Sequence, residues 1–464
     1  MHEHEHPIAA PATALAPSAI SVIRCSGQDS IELVGQLFRP ADPFLHAPGH
    51  TIHHGTLTGT SGEAVDEVMV ALFRAPMSYT GEDSVEIYGH GSPAGVRRIL
   101  EALYEVGFHP AAPGEFTRRA FINGKIDLTR AEAINDLVNS QTLEAHRLAL
   151  DRLGGGVQTA VEAVRADLIA LMAQIAIQLD YPEEDTGEIT LDDNLLADCA
   201  ERLRTLAASY RRGRLVQEGV SVVLAGRTNA GKSALFNMLL RQDRSIVSDL
   251  PGTTRDYLEA IVDIAGMPVR LFDTAGMRSA GLRSVGEPIE EEGIRRSHVV
   301  IAASDLVLYV LDATDGMSDE DRHRIAEIHA PVVLVWNKTD LTTAEPPDGA
   351  VPVSALTGSG VAELNERIFL VAAGDGGAAA VGDGGCIGGA SPSGVVIDSA
   401  RQHHLLTRAL ESIEHTRASL GRSMPADVLA VDLQDAINAI GEITGEVATD
   451  EILDTMFGSF CVGK

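Results

Sequence analysis

The segment of this sequence best suited to chemistry is Gly226–Ser233, which reads GRTNAGKS. It has the spacing GxxxxGK[ST], follows the apolar run VSVVLA and precedes the helix-forming run ALFNMLL, a context typical of a phosphate-binding loop. Backbone N–H groups and the helix start attract phosphate. Lys232 would reach the β- and γ-phosphates, and Ser233 would bind magnesium. The predicted nucleotide contacts of this loop are Asn229, Ala230, Gly231, Lys232, Ser233 and Ala234.

Three later segments end predicted strands and specify the nucleotide. In DTAG (273–276), the Asp can hold the magnesium shell and the Gly N–H can meet the γ-phosphate. In NKTD (337–340), the carboxylate of Asp340 can accept hydrogen bonds from guanine N1 and the 2-amino group, a donor pair that adenine lacks, which predicts GTP. The segment SAL (354–356) would give backbone contacts to the guanine oxygen. The predicted contacts are Asp273, Thr274, Ala275, Gly276, Asn337, Lys338, Asp340, Ser354, Ala355 and Leu356.

A loop between these strands, DLPGTTRD, carries Thr253 and Thr254 where a switch threonine should cover the nucleotide. Ras-like GTPases orient the attacking water with a Gln just after DTAG, but this chain has MRS at 277–279. The acidic residues Glu287 and 290–292 fit a solvated helix face, although one of them could align the water. The predicted contacts of the loop are Ser248, Asp249, Leu250, Pro251, Gly252, Thr253 and Thr254, with Thr254 and Ser233 as magnesium ligands.

The surrounding patterns predict how these residues are positioned. Apolar strand runs alternate with helices from 218 to 373, which is typical of a mostly parallel sheet covered by helices. Apolar residues recur at helical spacing on both sides of this region, and residues 18–110 mix short strands with a helix. We therefore predict an α/β and α multidomain protein with an N-terminal α/β domain (1–112), a helical domain in two parts (113–217 and 395–464), an inserted Ras-like P-loop GTPase domain (218–373) and a Gly-rich flexible loop (374–394).

Composition excludes several classes of protein. The 464 residues carry a formal net charge of −30, which argues against a broad nucleic-acid-binding surface. The four cysteines have no CxxC spacing, so a disulfide framework or zinc site is not expected and a reducing compartment fits. The first 21 residues have no Lys or Arg, and no long uncharged apolar run appears, so neither a secretory signal nor a membrane span is predicted. We expect a cytoplasmic protein.

Beyond the nucleotide motifs, the chain resembles the MnmE (TrmE) family of tRNA-modification GTPases. The similar stretches are VIRCSG (22–27), APMSYTGED (75–83), PGEFTRRAFINGKIDLTRAEAIND (113–136), EITG (442–445) and FCVGK (460–464). The resemblance implies an N-terminal folate-binding and dimerisation domain. It also implies an enzyme that adds a carboxymethylaminomethyl group to carbon 5 of the wobble uridine of certain tRNAs.

The resemblance further implies a potassium-activated GTPase. The cation would take the place of an arginine finger and neutralise charge between the phosphates. In the family, the Glu that aligns water precedes a Gly-Ile pair, and anchoring on the pair at 293–294 makes it Glu290. The implied potassium ligands are Asn229, Ser248, Leu250 (through its carbonyl) and Thr253.

The folate-binding positions of the family fall on Arg24, Glu86, Lys125 and Lys464. Cations suit the carboxylates of a folate, and Glu suits the N–H donors of its pterin. The implied donor is 5,10-methylenetetrahydrofolate or a related folate. The family ends in Cys-x-Gly-Lys, which makes Cys461 a candidate catalytic residue because a thiol can be a nucleophile or a proton donor.

The implied partners are a second copy of the chain, the flavoprotein MnmG (GidA) in a heterotetramer, and tRNA held mainly by that partner. A stand-alone regulatory or ribosome-assembly GTPase is the alternative, and a folate-binding protein with a structural GTPase domain is a third. A switch needs neither SYTGED nor the terminal Cys-x-Gly-Lys, and the nucleotide motifs speak against the third.

Overall fold

The computed structural model describes residues 6–180, 191–242, 259–273, 304–374, 394–422, 424–447 and 449–464. The chain divides into two compact units. The first unit contains 1–135, 153–158 and 437–464, and the second contains 136–152 and 159–436. The finer five-part division made from the sequence stays a prediction.

A seven-stranded sheet lies at the centre of the first unit. Its strands are β1 (Ile8–Pro11), β2 (Ser18–Ser26), β3 (Phe38–Arg39), β4 (Thr51–Thr58), β5 (Ala64–Phe73), β6 (Ser84–Gly91) and β7 (His109–Pro110), in the order β3-β4-β5-β6-β2-β1-β7. Successive strand residues face opposite sides of a sheet. In β5, Val68, Val70 and Leu72 are accordingly buried, whereas Met69 is 44% exposed. One face of the sheet therefore carries the core of this unit.

The helices follow from apolar residues at helical spacing and from capping residues. In chain order they are α1 (Ser30–Leu37), α2 (Ala41–Leu45), α3 (Pro93–Glu105), α4 (Glu115–Ile122), α5 (Leu128–Asn139), α6 (Leu143–Leu153), α7 (Gly156–Asp180), α8 (Asp193–Glu218), α9 (Lys232–Gln242), α10 (Asp319–Ala326), α11 (Val361–Ala373), α12 (Ala400–Gly421), α13 (Ala426–Thr444) and α14 (Asp450–Phe457). In α3, Ser92 accepts the Gly95 N–H and Pro93 occupies the first turn, which are favoured helix-start positions. Within the described ranges, none of these helices combines the length and apolarity that a membrane crossing requires.

The last residues of the chain belong to the first unit. Phe457 and Phe460 are buried against Leu128 and Ala131. The tail then forms backbone hydrogen bonds with the start of α4, from the Gly114 N–H to the Cys461 carbonyl and from the Phe116 N–H to the Lys464 carbonyl. These two hydrogen bonds attach the C-terminal segment to residues more than 340 positions earlier in the sequence.

The second unit contains a six-stranded sheet in the order β13-β12-β11-β8-β10-β9. Its strands are β8 (Val220–Ala225), β9 (Glu259–Ile264), β10 (Met267–Asp273), β11 (Leu306–Asp312), β12 (Val332–Asn337) and β13 (Val351–Pro352). All neighbouring strands pair in parallel except β9 with β10. The central strand β11 is buried throughout, as expected when both faces of a parallel sheet are covered. Ligands bind at the carboxyl ends of such strands, where the predicted nucleotide segments lie.

Residues 394–399, which follow the Gly-rich segment in the sequence, lie along α8. A Cβ at Gly213 would lie 2.1 Å from the Ile397 carbonyl oxygen, so only Gly permits this approach. The Ile397 N–H donates to Ser209 Oγ at 3.1 Å, and the neighbouring Asp398 pairs with the buried Arg152. The segment at 394–399 is therefore fixed against α6 and α8.

Candidate functional site

The predicted phosphate-binding loop connects β8 to α9. Gly226 has φ +133°, and a Cβ there would lie 2.3 Å from the Val310 carbonyl oxygen of β11, so the loop can leave the sheet here only through Gly. Lys232 is 8% exposed, and its Nζ donates to the carbonyl oxygens of Gly226 at 2.9 Å and Arg227 at 2.7 Å. The ammonium group thus lies inside the loop, where phosphate oxygens are expected. Ala230 is buried, Gly231 has φ +94°, and Asn229, Ser233 and Ala234 are exposed.

Two oxygen ligands for a divalent cation meet at the end of this loop. Ser233, in the first turn of α9, donates its hydroxyl to Asp273 Oδ2 at 2.9 Å. Asp273 ends β10 and is 2% exposed. A hydroxyl and a carboxylate beside a phosphate site are the ligands that magnesium takes. The arrangement fits the predicted magnesium site.

The predicted guanine-binding segments lie beside the same loop. Asn337, at the end of β12, is 1% exposed, and its side-chain amide donates to the Ala230 carbonyl at 2.9 Å and accepts the Ala355 N–H at 3.1 Å. Ser354 Oγ donates to Asp340 Oδ1 at 2.6 Å. One buried amide therefore joins the phosphate loop to SAL, while a hydroxyl orients the carboxylate expected to bind guanine.

Lys338, the second residue of NKTD, is held by a neighbouring strand. Its Nζ lies 2.6 Å from Oδ2 of Asp312, the last residue of β11. Burial alone would raise the pKa of Asp312, but hydrogen bonds from Lys338 and Thr314 hold that pKa below its usual value. The aliphatic stem of Lys338 is thereby fixed beside the expected base position. Leu356 is 85% exposed.

Many predicted site residues lie outside the described ranges, and their roles stay predictions. They are Ser248, Asp249, Leu250, Pro251, Gly252, Thr253, Thr254, Thr274, Ala275, Gly276 and Glu290.

A second cluster of predicted site residues lies in the first unit. Arg24 of β2 is paired across the sheet with Glu86 of β6, and the Arg24 Nε and Nη2 atoms lie 3.0 and 2.9 Å from Glu86 Oε1. Tyr88 donates its hydroxyl to Glu86 Oε2 at 2.7 Å. Burial, together with Glu86, raises the pKa of Tyr88 to about 12, so its hydroxyl remains a donor at neutral pH.

The C-terminal tail and two aromatic rings complete this cluster. Arg24 donates to the Gly463 carbonyl at 3.2 Å, and burial, together with the charge of Arg24, lowers the pKa of Lys464. The rings of Tyr79 and Phe116 lie 5.5 and 5.8 Å from the Arg24 guanidinium carbon. Arg24 beside two aromatic rings, with the charge of Lys464 nearby, suits a planar ligand that carries negative charge.

Lys125 and Cys461 occupy different positions around this cluster. Lys125 is exposed, and its Nζ donates to the Pro76 carbonyl at 2.9 Å. The thiol of Cys461 is exposed, and its carbonyl accepts N–H groups from Gly114 and Lys464 at 3.3 Å. The structure therefore brings Arg24, Glu86 and Lys464 together, with Cys461 three residues before Lys464, whereas Lys125 has a separate contact.

Comparisons with known proteins agree with this arrangement. The family model of the MnmE helical domain matches residues 128–461, and that of the GTP-binding protein TrmE N-terminus matches residues 7–125. The tRNA modification GTPase MnmE of Treponema denticola is 39% identical, over 99% of this chain and 98% of its own length. The MnmE proteins of Borrelia recurrentis and Symbiobacterium thermophilum are each 38% identical, over 100% and 99% of this chain and 99% and 100% of their own lengths. The chain belongs to the MnmE family.

Membership of the MnmE family confirms the resemblance seen in the sequence and the α/β and α multidomain fold class with its P-loop GTPase. It also confirms the predicted class of enzyme, a GTPase of tRNA modification. The site residues themselves stay predictions.

Sequence reasoning missed several residues that contact the predicted MnmE sites. Tyr88 follows Glu86 by two positions in β6, so the strand period alone places both on one face. Tyr79 and Phe116 lie within family-like stretches but were not singled out as ligand contacts. The sequence does not show the role of Arg227 in the phosphate loop, because its partners lie about 90 positions later, in α10 and in the loop before that helix.

Proposed function

We propose that this chain is a potassium-activated GTPase that acts with a flavoprotein partner and a folate one-carbon donor. The product is a carboxymethylaminomethyl group on carbon 5 of the wobble uridine of certain tRNAs, and the reaction takes place in the cytoplasm. The observation that carries this proposal is the coexistence of two sites. The guanine nucleotide site lies in the second unit, and the Arg24–Glu86–Lys464 cluster lies in the first. A stand-alone regulatory or ribosome-assembly GTPase has no use for the second cluster.

In the nucleotide site, magnesium is held by Ser233 and Thr254, with Asp273 in its ligand shell. The hydrogen bond between Ser233 and Asp273 supports this assignment. Potassium is held by Asn229, Ser248, Leu250 and Thr253. Asn229 has an exposed side chain and φ +66°, so its amide is available at the surface of the phosphate loop. Glu290 aligns the attacking water.

We expect GTP hydrolysis to require potassium. A monovalent cation between the phosphates stabilises charge that develops in the transition state, and the chain has no Gln after DTAG. Turnover in potassium chloride should exceed turnover in sodium chloride at equal ionic strength by about tenfold or more. Asn229→Ala should remove most of this difference. Equal rates in the two salts, measured as phosphate release, would contradict the prediction.

In the first unit, the cluster holds 5,10-methylenetetrahydrofolate or a related folate, which supplies a one-carbon unit. Arg24 and Lys464 pair with its carboxylates, and Glu86 accepts hydrogen bonds from its pterin. The Tyr88 hydroxyl orients the Glu86 carboxylate, and Lys125 contributes a further charge nearby. The aromatic rings beside Arg24 support a planar ligand. Cys461 acts as the catalytic thiol.

A second copy of the chain binds through the sheet of the first unit. On the face opposite the core, Met69 of β5 lies between His54 of β4 and Tyr88 of β6, and Ile52 lies two positions before His54 on the same face. On this face Ile52 is 65% and Met69 44% exposed, and Ile20 of β2 is 53% exposed. Arg24 and Glu86 lie on the same face, so a dimer formed there covers the folate site. An apolar patch of this kind on a sheet typically marks an interface.

Substitution of Ile52 and Met69 by Glu should separate the dimer. Burying two unpaired carboxylates should weaken association by about 100-fold or more. Sedimentation equilibrium of the full chain should show a dimer for the unchanged protein and a monomer for the double variant. Val431→Glu, at a position 69% exposed in α13, is the matched control and should remain dimeric. A monomeric unchanged protein at tens of micromolar would contradict the assignment.

The remaining partners follow from the family. The flavoprotein MnmG (GidA) completes a heterotetramer with the dimer. The net charge of −30 supports a division in which this partner holds most of the tRNA, because binding to nucleic acid depends on Lys and Arg. Analysis of wobble uridine in tRNA from cells that lack this protein tests the proposal as a whole. Unchanged modification would favour the stand-alone GTPase.

A further inference from the structure

Arg227 follows the first Gly of the phosphate loop, and its side chain leaves the loop toward α10. The Arg227 Nε lies 3.3 Å from Asp321 Oδ2. Its Nη2 donates to the Gly316 carbonyl at 3.3 Å and lies 3.8 Å from Asp315. The guanidinium group therefore connects the phosphate loop to the β11–α10 connection and to the first turn of α10.

Asp321 is a fixed partner for this guanidinium. It is fully buried, and it is the third residue of α10, where it forms a capping box with Ser318. Its Oδ2 accepts the Ser318 N–H at 2.9 Å and the Ser318 hydroxyl at 2.7 Å, and its Oδ1 accepts the Tyr309 hydroxyl at 3.0 Å. Burial alone would raise the pKa of Asp321, but these hydrogen bonds and Arg227 hold it below its usual value. The carboxylate is ionised and cannot rotate freely.

The same connection also reaches the base-binding side of the site. Asp312, at its start, pairs with Lys338 of NKTD, and the Gly316 N–H donates to the Asp312 carbonyl at 3.0 Å. The β11–α10 connection thus contacts both the phosphate loop, through Arg227, and the base segment, through Lys338. A shift of this connection at Arg227 would therefore also move Asp312, the partner of Lys338.

Two sets of contacts within the described residues respond differently when nucleotide binds. Lys232 bonds the carbonyls of Gly226 and Arg227, but in the proposed function the same ammonium group turns to the phosphates. The Gly226 and Arg227 carbonyls then lose this hydrogen bond, although the Arg227 carbonyl still accepts the Ala230 N–H. The Arg227 side chain points away from the phosphates and keeps its contacts, so it anchors the start of the loop while the Asn337 amide holds the Ala230 carbonyl.

We propose that Arg227 is a positioning residue for guanine nucleotide, which holds the phosphate loop in its binding conformation through the ion pair with Asp321. The proposal rests on the nucleotide site of the proposed function. Arg227 acts through the backbone of the loop and does not touch the nucleotide. It therefore sets the affinity for GTP and GDP alike, and it leaves the hydrolytic step at saturating GTP unchanged.

The test measures dissociation of a fluorescent GDP analogue from the full chain, together with KM and kcat for GTP. Arg227→Gln should raise the dissociation rate and KM by about tenfold and leave kcat within about twofold, since a hydrogen bond to a charged partner is lost. Arg324→Gln is the matched control, because it removes an exposed pair with Glu320 on the same helix. The control should bind as the unchanged protein does.

A double-mutant cycle separates positioning from direct contact. Asp321→Asn should weaken nucleotide binding as much as Arg227→Gln, and the double variant should be no weaker than either single variant. If the melting temperature of Asp321→Asn is markedly lower than that of the unchanged protein, GDP dissociation from Arg227→Lys is measured in place of the cycle. Lys cannot span both Asp321 and Gly316, so it should also release GDP about tenfold faster.

Three results would overturn the inference. The first is a dissociation rate for Arg227→Gln equal to that of the control. The second is an additive loss in the double variant, which would mean that Arg227 touches the nucleotide. The third is tight binding by Arg227→Lys. If the unchanged protein binds no guanine nucleotide at all, the proposed function fails first and the inference fails with it.

Discussion

Replacing Asp340 with Asn should weaken GTP binding by on the order of 1,000-fold and create a preference for xanthosine triphosphate. The carboxylate of Asp340 offers two acceptor oxygens to the N1–H and 2-amino donors of guanine, and Ser354 orients it through a hydrogen bond to Oδ1. An amide turns one acceptor into a donor, which then faces the guanine 2-amino group. Xanthine carries an oxygen at that position and accepts the new donor.

Equilibrium binding of GTP and xanthosine triphosphate to the two proteins measures this exchange. Asp348→Asn is the matched control, because Asp348 is an exposed carboxylate of the same unit, and it should not change either affinity. A variant at Asp340 that loses both nucleotides would mean that the side chain supports the fold. A variant that keeps its affinity for GTP would remove Asp340 from the site.

Cys461→Ser should lower the level of modified wobble uridine by about 100-fold or more and leave GTP turnover within about twofold of normal. The thiol is exposed, and the following residues of the tail reach Arg24 through the Gly463 carbonyl. A hydroxyl is a far weaker nucleophile near neutral pH. The nucleotide site lies in the other compact unit, so the exchange of sulfur for oxygen should not affect it.

Complementation of cells that lack the protein, followed by analysis of wobble uridine, measures the first effect, and phosphate release measures the second. Ser459→Ala tests whether any change in this exposed part of the tail has the same result, and it should restore modification. Full restoration by Cys461→Ser would reduce the thiol to a packing group. A parallel loss of GTP turnover would show that the two sites are not separate.

The nucleotide site could be predicted from sequence because its local backbone is specified by local residues. The strand before Gly226, the helix that begins at Lys232 and the strand end at Asn337 all occur where the patterns placed them. By contrast, β9 was not predicted. Its run EAIVDI is six residues long and follows the switch region, and its identity as a strand depends on the antiparallel pairing with β10.

The second cluster could be predicted only through family resemblance. Arg24 and Glu86 are 62 residues apart, and nothing in their spacing shows that β2 and β6 are neighbours in the sheet. The final helices raised a related difficulty, because a helical period predicts a helix but not the surface that it covers. The pattern in residues 395–464 predicts helices, but it does not show that Phe457 and Phe460 are buried against Leu128 and Ala131 near the start of α5.

The attachment of the tail to the first unit also sets an order of assembly on the ribosome. Arg24 and Gly463 are 439 positions apart, and at about 5–20 residues per second their syntheses are separated by roughly 20–90 s. During that interval the N–H groups of Gly114 and Phe116 lack the carbonyls that they later bind. The second unit ends at residue 436, so every residue of the candidate nucleotide site is synthesised before Gly463 and Lys464, which complete the cluster around Arg24. If the proposed function holds, a nascent chain can bind GTP before it can bind the folate.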